Sequence, residues 1–178
     1  MGKNCLKYTV LAAIACTMSF AVSQSTTAST LVSQASARRF QPLPANTCNQ
    51  LRSQMSQTLK VKATLTRASF KDYINNGQGM GCKIAATGNG RNFNELRDVA
   101  NNLKAMLIKQ GWKEDPQYAA DGPTGAGMGF RKGNSLSLLM VEWEPAPGAN
   151  CPPNEPISDC NLSPEQQIYR ITLNSARR

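Results

Sequence analysis

The chain has 178 residues, of which 20 are lysine or arginine, 11 are aspartate or glutamate and none is histidine, so its formal net charge is +9. The absence of histidine excludes catalytic sites of the Ser-His-Asp and Cys-His kinds, as well as metal sites with histidine ligands. The positive charge favours an anionic partner, but the basic residues are scattered and not interleaved with aromatic residues, which argues against nucleic acid.

Residues 1–23 predict a signal peptide. Two lysines precede the uncharged and mostly apolar run 8–22, and small residues occupy positions 21–23. The apolar run is shorter than the about 20 residues that span a bilayer, which favours an export signal over a membrane anchor. We expect cleavage near Ser23 or Ala28 and a secreted or periplasmic product.

The N-terminal segment also allows an alternative form of processing. The sequence Ala-Ile-Ala-Cys at residues 13–16 loosely resembles a bacterial lipoprotein box, and cleavage before Cys16 would leave that residue as a lipidated anchor. Residues 24–46 are rich in Ser, Thr and Gln and lack periodicity, so we interpret them as a disordered linker. The remaining residues 47–178 suit a single domain.

Four cysteines follow the predicted signal, namely Cys48, Cys82, Cys151 and Cys160. In an exported domain they indicate two disulfides, with three possible connectivities. We favour Cys48–Cys82, which would tie an early helix to a strand, and Cys151–Cys160, which would close a proline-rich loop. Cysteine zinc sites usually contain a close CxxC pair, which is missing here, so we expect no metal and no other cofactor.

The first predicted elements are a helix and a hairpin. Apolar residues at helical spacing predict a short N-terminal helix over 48–59, which Thr47 could cap. Alternation of apolar and polar residues over 60–70 predicts a strand, and 82–87 reads as its hairpin partner.

A continuous apolar stripe then predicts a long helix over about 93–110. Asn92 and Glu95 resemble a capping box at its start. Gly111 suits the position after its last turn, and Trp112 is expected to fold back onto the helix end.

Three further strands complete the prediction. They are expected over 128–132, 136–144 and 167–173, the first two joined by a tight turn at Gly133-Asn134. The chain is therefore predicted to be an α+β domain. An antiparallel sheet of about five strands would carry the long helix packed across it.

The candidate anion site is glycine-rich and directly precedes the predicted long helix, where free amides and the helix dipole attract anions. A second candidate is a basic pair in the hairpin after residue 130. The alternative is purely structural: the glycines only allow turns, and the basic side chains are only solvated. The candidate anion- or partner-binding residues are Gly88, Asn89, Gly90, Arg91, Asn92, Arg131 and Lys132.

Two other functions remain open from the sequence. Glu142 and Glu144 would lie roughly 6.5–7 Å apart along one strand, a spacing that can serve a glycosidase. Alternating glutamates at a strand end more often form a solvated or salt-bridged face, and Arg131 and Lys132 are their expected ion-pair partners. The loop 151–160, once bridged, would be preorganised like those of some protease inhibitors, or would act only as a brace.

These observations predict an exported, non-enzymatic binding or structural domain of the cell envelope or secretome. Its expected partner is an anionic envelope polymer or another protein. The alternatives are a secreted protease inhibitor that uses the 151–160 loop and a carboxylate-based hydrolase.

Overall fold

The structure is a computed structural model that describes residues 39–152, 156–157 and 160–178. Over these ranges the chain forms two α-helices, seven strands and a 3-10 turn at Pro164–Gln166. The predicted signal peptide, Cys16 and the linker up to residue 38 lie outside the described residues. The helices are α1 (Ala45–Leu59) and α2 (Leu96–Lys109), and the strands are β1 (Arg39–Pro42), β2 (Ala63–Asp72), β3 (Gly77–Asn89), β4 (Lys113–Asp121), β5 (Gly125–Lys132), β6 (Ser135–Pro145) and β7 (Gln167–Arg177).

The predicted α+β class is confirmed, but the sheet differs from the prediction. Over the described ranges it is mixed and has seven strands instead of about five antiparallel ones. The prediction missed β1, which is only four residues long and depends on pairing with β3 and β7. It also missed β4, because charged residues, a proline and exposure along most of its length hide the strand pattern. The described fold thus begins at Arg39, within the segment interpreted as linker.

The strand order is β2-β3-β1-β7-β6-β5-β4, so β2 and β4 form the two edges. β3 and β7 pair directly over residues 82–89 of β3, and β1 lies between their ends beyond that segment. β1 runs parallel to β3, which makes the sheet mixed. Gly79 is required at this point, because a Cβ atom there would collide with the backbone of Phe40.

Both helices pack on the same face of the sheet and form the main core. The side chains that α1 buries are those that its spacing predicts, namely Cys48, Leu51, Met55 and Leu59. In the part of the chain that the structure describes, neither helix combines the length and apolarity needed to cross a membrane.

The two predicted disulfides are both formed. Cys48–Cys82 joins the first turns of α1 to β3, with Cα atoms 6.2 Å apart, and Cys151–Cys160 closes the proline-rich loop with Cα atoms 5.1 Å apart. Disulfides of this kind are typical of oxidising compartments.

The start of α2 differs from the prediction, so the helix covers 96–109 instead of 93–110. Asn92 is not part of a capping box. Its Oδ1 accepts a hydrogen bond of 3.0 Å from the Asn89 amide and so closes a turn before the helix. Glu95 is the N-cap residue and makes no side-chain capping bond.

The end of α2 is as predicted. Gly111 has a φ of 82°, and its N–H donates to the carbonyl of Ile108 at 2.9 Å. The N–H of Trp112 donates to the carbonyl of Leu107 at 3.1 Å, which completes a Schellman motif. The Trp112 side chain is buried in the main core.

The other face of the sheet carries a second, smaller apolar cluster at one end, formed by Phe40, Phe70, Leu136 and Ala176. The rings of Phe40 and Phe70 lie with their centroids 4.7 Å apart. The turn between β2 and β3, residues 73–76, projects from this end, which we call the tip end. We call the other end of the sheet, where β3 finishes, the far end.

Candidate anion-binding site

The tip end carries an open cleft of about 940 Å³ on the face of the sheet that the helices cover further along. All its lining residues belong to β1, β2, β3 and β7. We call this surface the basic cleft, because four of the lining residues are cations. They are Arg39, Arg67, Lys71 and Arg177.

Strand pairing places these cations close together. Lys71 is paired with Gln78 across β2 and β3, and Gln78 is paired with Arg39 of β1. Directly paired residues point to the same side, so these three side chains form a row with about 4.8 Å between strands. Arg67 lies on the same face of β2 as Lys71, because residues an even number apart in a strand share a face.

The charges around the basic cleft are unbalanced. Among the described residues that line it, none is acidic, and none of its four cations forms an ion pair with a carboxylate there. Most acidic side chains lie at the far end instead, so the cleft is a region of positive potential. The residues of this acidic group are Glu95, Asp98, Asp121, Glu142, Glu144 and Glu165.

The β2–β3 turn exposes two large apolar side chains beside the basic cleft. Tyr73 is 80% exposed, and Ile74 is 46% exposed. We call these two residues the apolar tip. Met80, which lines the cleft, is also exposed. Apolar residues in a turn have no neighbours within the hairpin to cover them, so their exposure is built into the fold.

Asp72 lies buried directly before this turn and holds it. Its carboxylate accepts a hydrogen bond of 3.1 Å from the backbone N–H of Asn75 and one of 3.2 Å from the Asn75 side chain. A backbone N–H that donates to an Asp side chain a few residues earlier is a standard means of fixing a turn. Arg178 at the chain end adds an ion pair of 3.3 Å.

Tyr118 of β4 connects this turn to the opposite edge of the sheet. Its hydroxyl donates to Asp72 Oδ1 at 2.8 Å and accepts from the Asn75 amide at 2.8 Å and from Arg131 at 3.0 Å. Arg131 also donates to Asp115 at 2.6 Å. We call these five residues the tip network. Its phenol uses its donor and both lone pairs, which is how a polar group is tolerated away from water.

The tip network shifts the ionisation of its members. Burial disfavours the Asp72 carboxylate, but hydrogen bonds from Tyr118 and Asn75 and the charge of Arg178 outweigh it, so the pKa of Asp72 lies below its usual value. Burial and the neighbouring Asp72 carboxylate raise the pKa of Tyr118. The hydrogen bond to Asp115 raises the pKa of Arg131. Near neutral pH the network therefore holds a carboxylate, a neutral phenol and a guanidinium.

The predicted anion site at residues 88–92 has its amides occupied within the chain. The N–H of Gly90 donates to the carbonyls of Pro164 and Gln167, at 2.7 and 3.1 Å. The N–H of Arg91 donates to the Asn89 side chain at 3.0 Å, and the Arg91 guanidinium pairs with Glu165. Asn92 and Gly88 contribute to the same turn. α2 begins at residue 96, so residues 93–95 separate this segment from the helix N-terminus.

The predicted basic pair is divided between the two faces of the sheet. Arg131 points into the tip network, whereas Lys132 Nζ donates to the carbonyl of Gln110 at the end of α2, at 2.6 Å. Both lie at the tip end, so the structure does not bring them together with residues 88–92 at the far end.

The two glutamates considered for catalysis lie on the exposed face of β6, beside a small cavity of about 320 Å³. Glu144 pairs with Arg170 of β7 at 2.5 Å, and Glu142 lies opposite Gly125. The expected ion pairs with Arg131 and Lys132 are therefore wrong, because the register puts those bases at the other end of the hairpin.

The inhibitor hypothesis stays a prediction. The disulfide that closes the loop is formed, but residues 153–155 and 158–159 within it lie outside the described residues.

The basic cleft and the apolar tip were missed from the sequence. A local signal existed for part of them, since Arg67 and Lys71 share one face of the predicted strand and Tyr73-Ile74 places apolar residues next to a turn. No local signal joins Arg39 to Arg177, which the insertion of β1 brings together.

Within the described part of the chain, no three carboxylate or cysteine side chains converge to hold a metal ion. Comparisons with protein-family models, with curated proteins and with solved structures find no match to this chain.

Proposed function

We propose that this chain is an exported, non-enzymatic binding domain whose basic cleft holds an anionic partner. The observation that carries the proposal is the cleft itself, with four cations on β1, β2 and β7 and no acidic residue among its described lining residues. Cations gathered in one cleft without acidic neighbours raise the local positive potential, which favours the binding of an anion between them.

The distribution of charge supports this function over a merely solvated basic surface. Elsewhere in the described chain, six basic side chains, among them Arg91 and Arg131, are paired with carboxylates, and unpaired ones such as Lys62 do not line a shared cleft. The four cations of the basic cleft share one surface and have no carboxylate partner among the described residues, and the main acidic group lies at the far end. The protein therefore presents one positive end to its surroundings.

The experiment compares two double variants with the same net charge. Arg67→Gln with Lys71→Gln removes two cations of the basic cleft. Lys62→Gln with Lys109→Gln removes two exposed cations elsewhere that have no ion pair among the described residues. Binding of long-chain inorganic polyphosphate is measured by isothermal titration calorimetry for both variants and for the unmodified chain.

We expect the cleft variant to bind about tenfold more weakly or worse, because direct contacts to phosphate are lost, and the control to bind nearly as the unmodified chain does. Equal weakening in the two variants would show attraction by net charge alone and would contradict the proposal. Absence of binding by the unmodified chain would contradict it as well.

A further inference from the structure

We propose that the anionic partner is the surface of a phospholipid membrane, with the apolar tip entering the interface and the basic cleft contacting anionic head groups. This inference rests on the proposed function and specifies its partner.

The first argument is where the exposed apolar side chains lie. The described residues contain five large exposed hydrophobic side chains, and three of them, Tyr73, Ile74 and Met80, belong to the β2–β3 hairpin at the tip end. The other two, Ile108 and Met140, occur singly on α2 and β6. The hairpin end is therefore where the described chain gathers its exposed apolar side chains.

The second argument is that the exposed tip is held rigid. Asp72 and Asn75 bracket Tyr73 and Ile74, and hydrogen bonds of 2.8 Å join both of them to the Tyr118 hydroxyl. A turn fixed in this way loses little conformational entropy when it enters an ordered environment. A part-buried polar network thus holds two apolar residues where they are exposed to solvent.

The third argument is the chemistry of the surroundings. Lys71 directly precedes the turn and shares β2 with Arg67, and the other two cations of the basic cleft lie on β1 and β7, beyond β3. A tyrosine has an apolar ring and a polar hydroxyl, which suits the boundary between acyl chains and head groups. Cations close to an anionic leaflet add roughly fivefold in affinity each.

This combination favours a membrane over the other anionic partners. A soluble polyanion would engage the basic cleft and leave the apolar tip without a function. A protein partner would need a broader contact than two side chains on a projecting turn, since specific interfaces involve about 20–30 residues on each side. An anionic bilayer takes up a small apolar projection and a flanking set of cations at the same time.

The test uses vesicles of phosphatidylcholine, with or without phosphatidylglycerol, and measures the bound protein by sedimentation. The tip variant is Tyr73→Ser with Ile74→Ser, and the matched control is Ile108→Ser with Met140→Ser, which also removes two exposed hydrophobic side chains. All proteins are compared after their N-termini have been confirmed by intact mass. Thermal unfolding checks that each variant folds.

We expect the unmodified chain and the control to bind the anionic vesicles and not the neutral ones. The tip variant should bind the anionic vesicles about tenfold more weakly or worse, because two apolar side chains no longer leave water. Its affinity for polyphosphate should be unchanged, because the basic cleft is intact.

A second measurement uses Tyr73→Trp. Its emission, relative to the unmodified chain, should shift to shorter wavelength when anionic vesicles are added, as an indole does on entering an apolar environment. Vesicle binding without this shift would show attachment through the cations alone and would overturn the inference.

The remaining outcomes separate the two proposals. Binding to polyphosphate without binding to anionic vesicles, or equal vesicle binding by the tip variant and the unmodified chain, would overturn the membrane inference and leave the proposed function standing. Failure to bind either probe would overturn both.

Discussion

The hydroxyl of Tyr118 donates a hydrogen bond of 2.8 Å to the Asp72 carboxylate, and so joins the two edge strands of the sheet, β4 and β2. The sheet must curl strongly for its edges to meet, and it does so around the small apolar cluster at the tip end. A feature that closes the fold thus also fixes the turn that carries the apolar tip.

Replacement of Tyr118 by phenylalanine should destabilise the fold by about 1–2 kcal/mol, because Asp72 loses a donor and Asn75 and Arg131 lose an acceptor. Urea unfolding measures the effect. Tyr73→Phe is the control, because that residue is 80% exposed and its hydroxyl has no partner to lose among the described residues. Similar losses in the two variants would contradict the role given to the tip network.

Asp72 should make the stability depend on pH in the acidic range. The pKa of Asp72 in the folded protein lies below the ordinary value of 3.8. Its ionised carboxylate therefore contributes fully to the free energy of unfolding above pH 3.8. That contribution is lost as the pH falls through the pKa that Asp72 has in the folded protein. Tyr118, Arg131 and Arg178 face this carboxylate, and the pKa values of Tyr118 and Arg131 are both raised, which moves them further from the acidic range.

Asp72→Asn should therefore be less stable than the unmodified chain at neutral pH, by about 2 kcal/mol, because it leaves Arg178 without its ionic partner. The difference should narrow as the pH falls below 3.8. Urea unfolding of both proteins from neutral pH to below pH 3.8 measures this difference. A difference that stays constant with pH would contradict the role given to the Asp72 carboxylate.

The Tyr118 side chain packs against β5 at Gly129, where a Cβ atom would come within 2.6 Å of its Cβ, Cγ and Cδ2 atoms. Gly129→Ala should displace the ring and cost about 1–3 kcal/mol through overpacking. Gly127→Ala is a close control, because it lies two residues earlier on the same face and its Cβ would make only ordinary contacts, at 3.5 Å. Crystal structures of both variants show whether the Tyr118 ring is displaced, and thermal unfolding measures the loss of stability. A Gly129→Ala variant in which Tyr118 keeps its position would contradict the prediction.

The two ends of α2 show how far the sequence determines local structure. Its C-terminus was predictable because the Schellman motif at Gly111 involves only adjacent residues and a glycine with positive φ. Its N-terminus was not, because Asn92 can cap a helix or close a turn. The turn is stabilised here because the N–H of Gly90 donates hydrogen bonds to the carbonyls of Pro164 and Gln167, which are distant in the sequence.

The candidate site was less predictable than the fold class. Hydrophobic spacing marks α1 and the long strands, but β1 has no pattern of its own and forms a strand only where β3 and β7 leave room for it. Arg39 and Arg177 become part of the basic cleft because β1 is inserted between the ends of β3 and β7. Residues 88–92 looked suitable for an anion because the sequence does not show which amides the fold itself uses.

The two disulfides should contribute unequally to stability, and each can be removed as a pair. Loss of Cys48–Cys82, which closes a separation of 34 residues, should cost about 4 kcal/mol, and loss of Cys151–Cys160, with a separation of 9, about 1 kcal/mol less. The first pair is also buried between α1 and β3, so its alanine variant leaves a cavity as well. Urea unfolding of Cys48→Ala with Cys82→Ala, against Cys151→Ala with Cys160→Ala, measures both effects. A larger loss from the second variant would mean that the 151–160 loop braces the fold more than its short closure predicts.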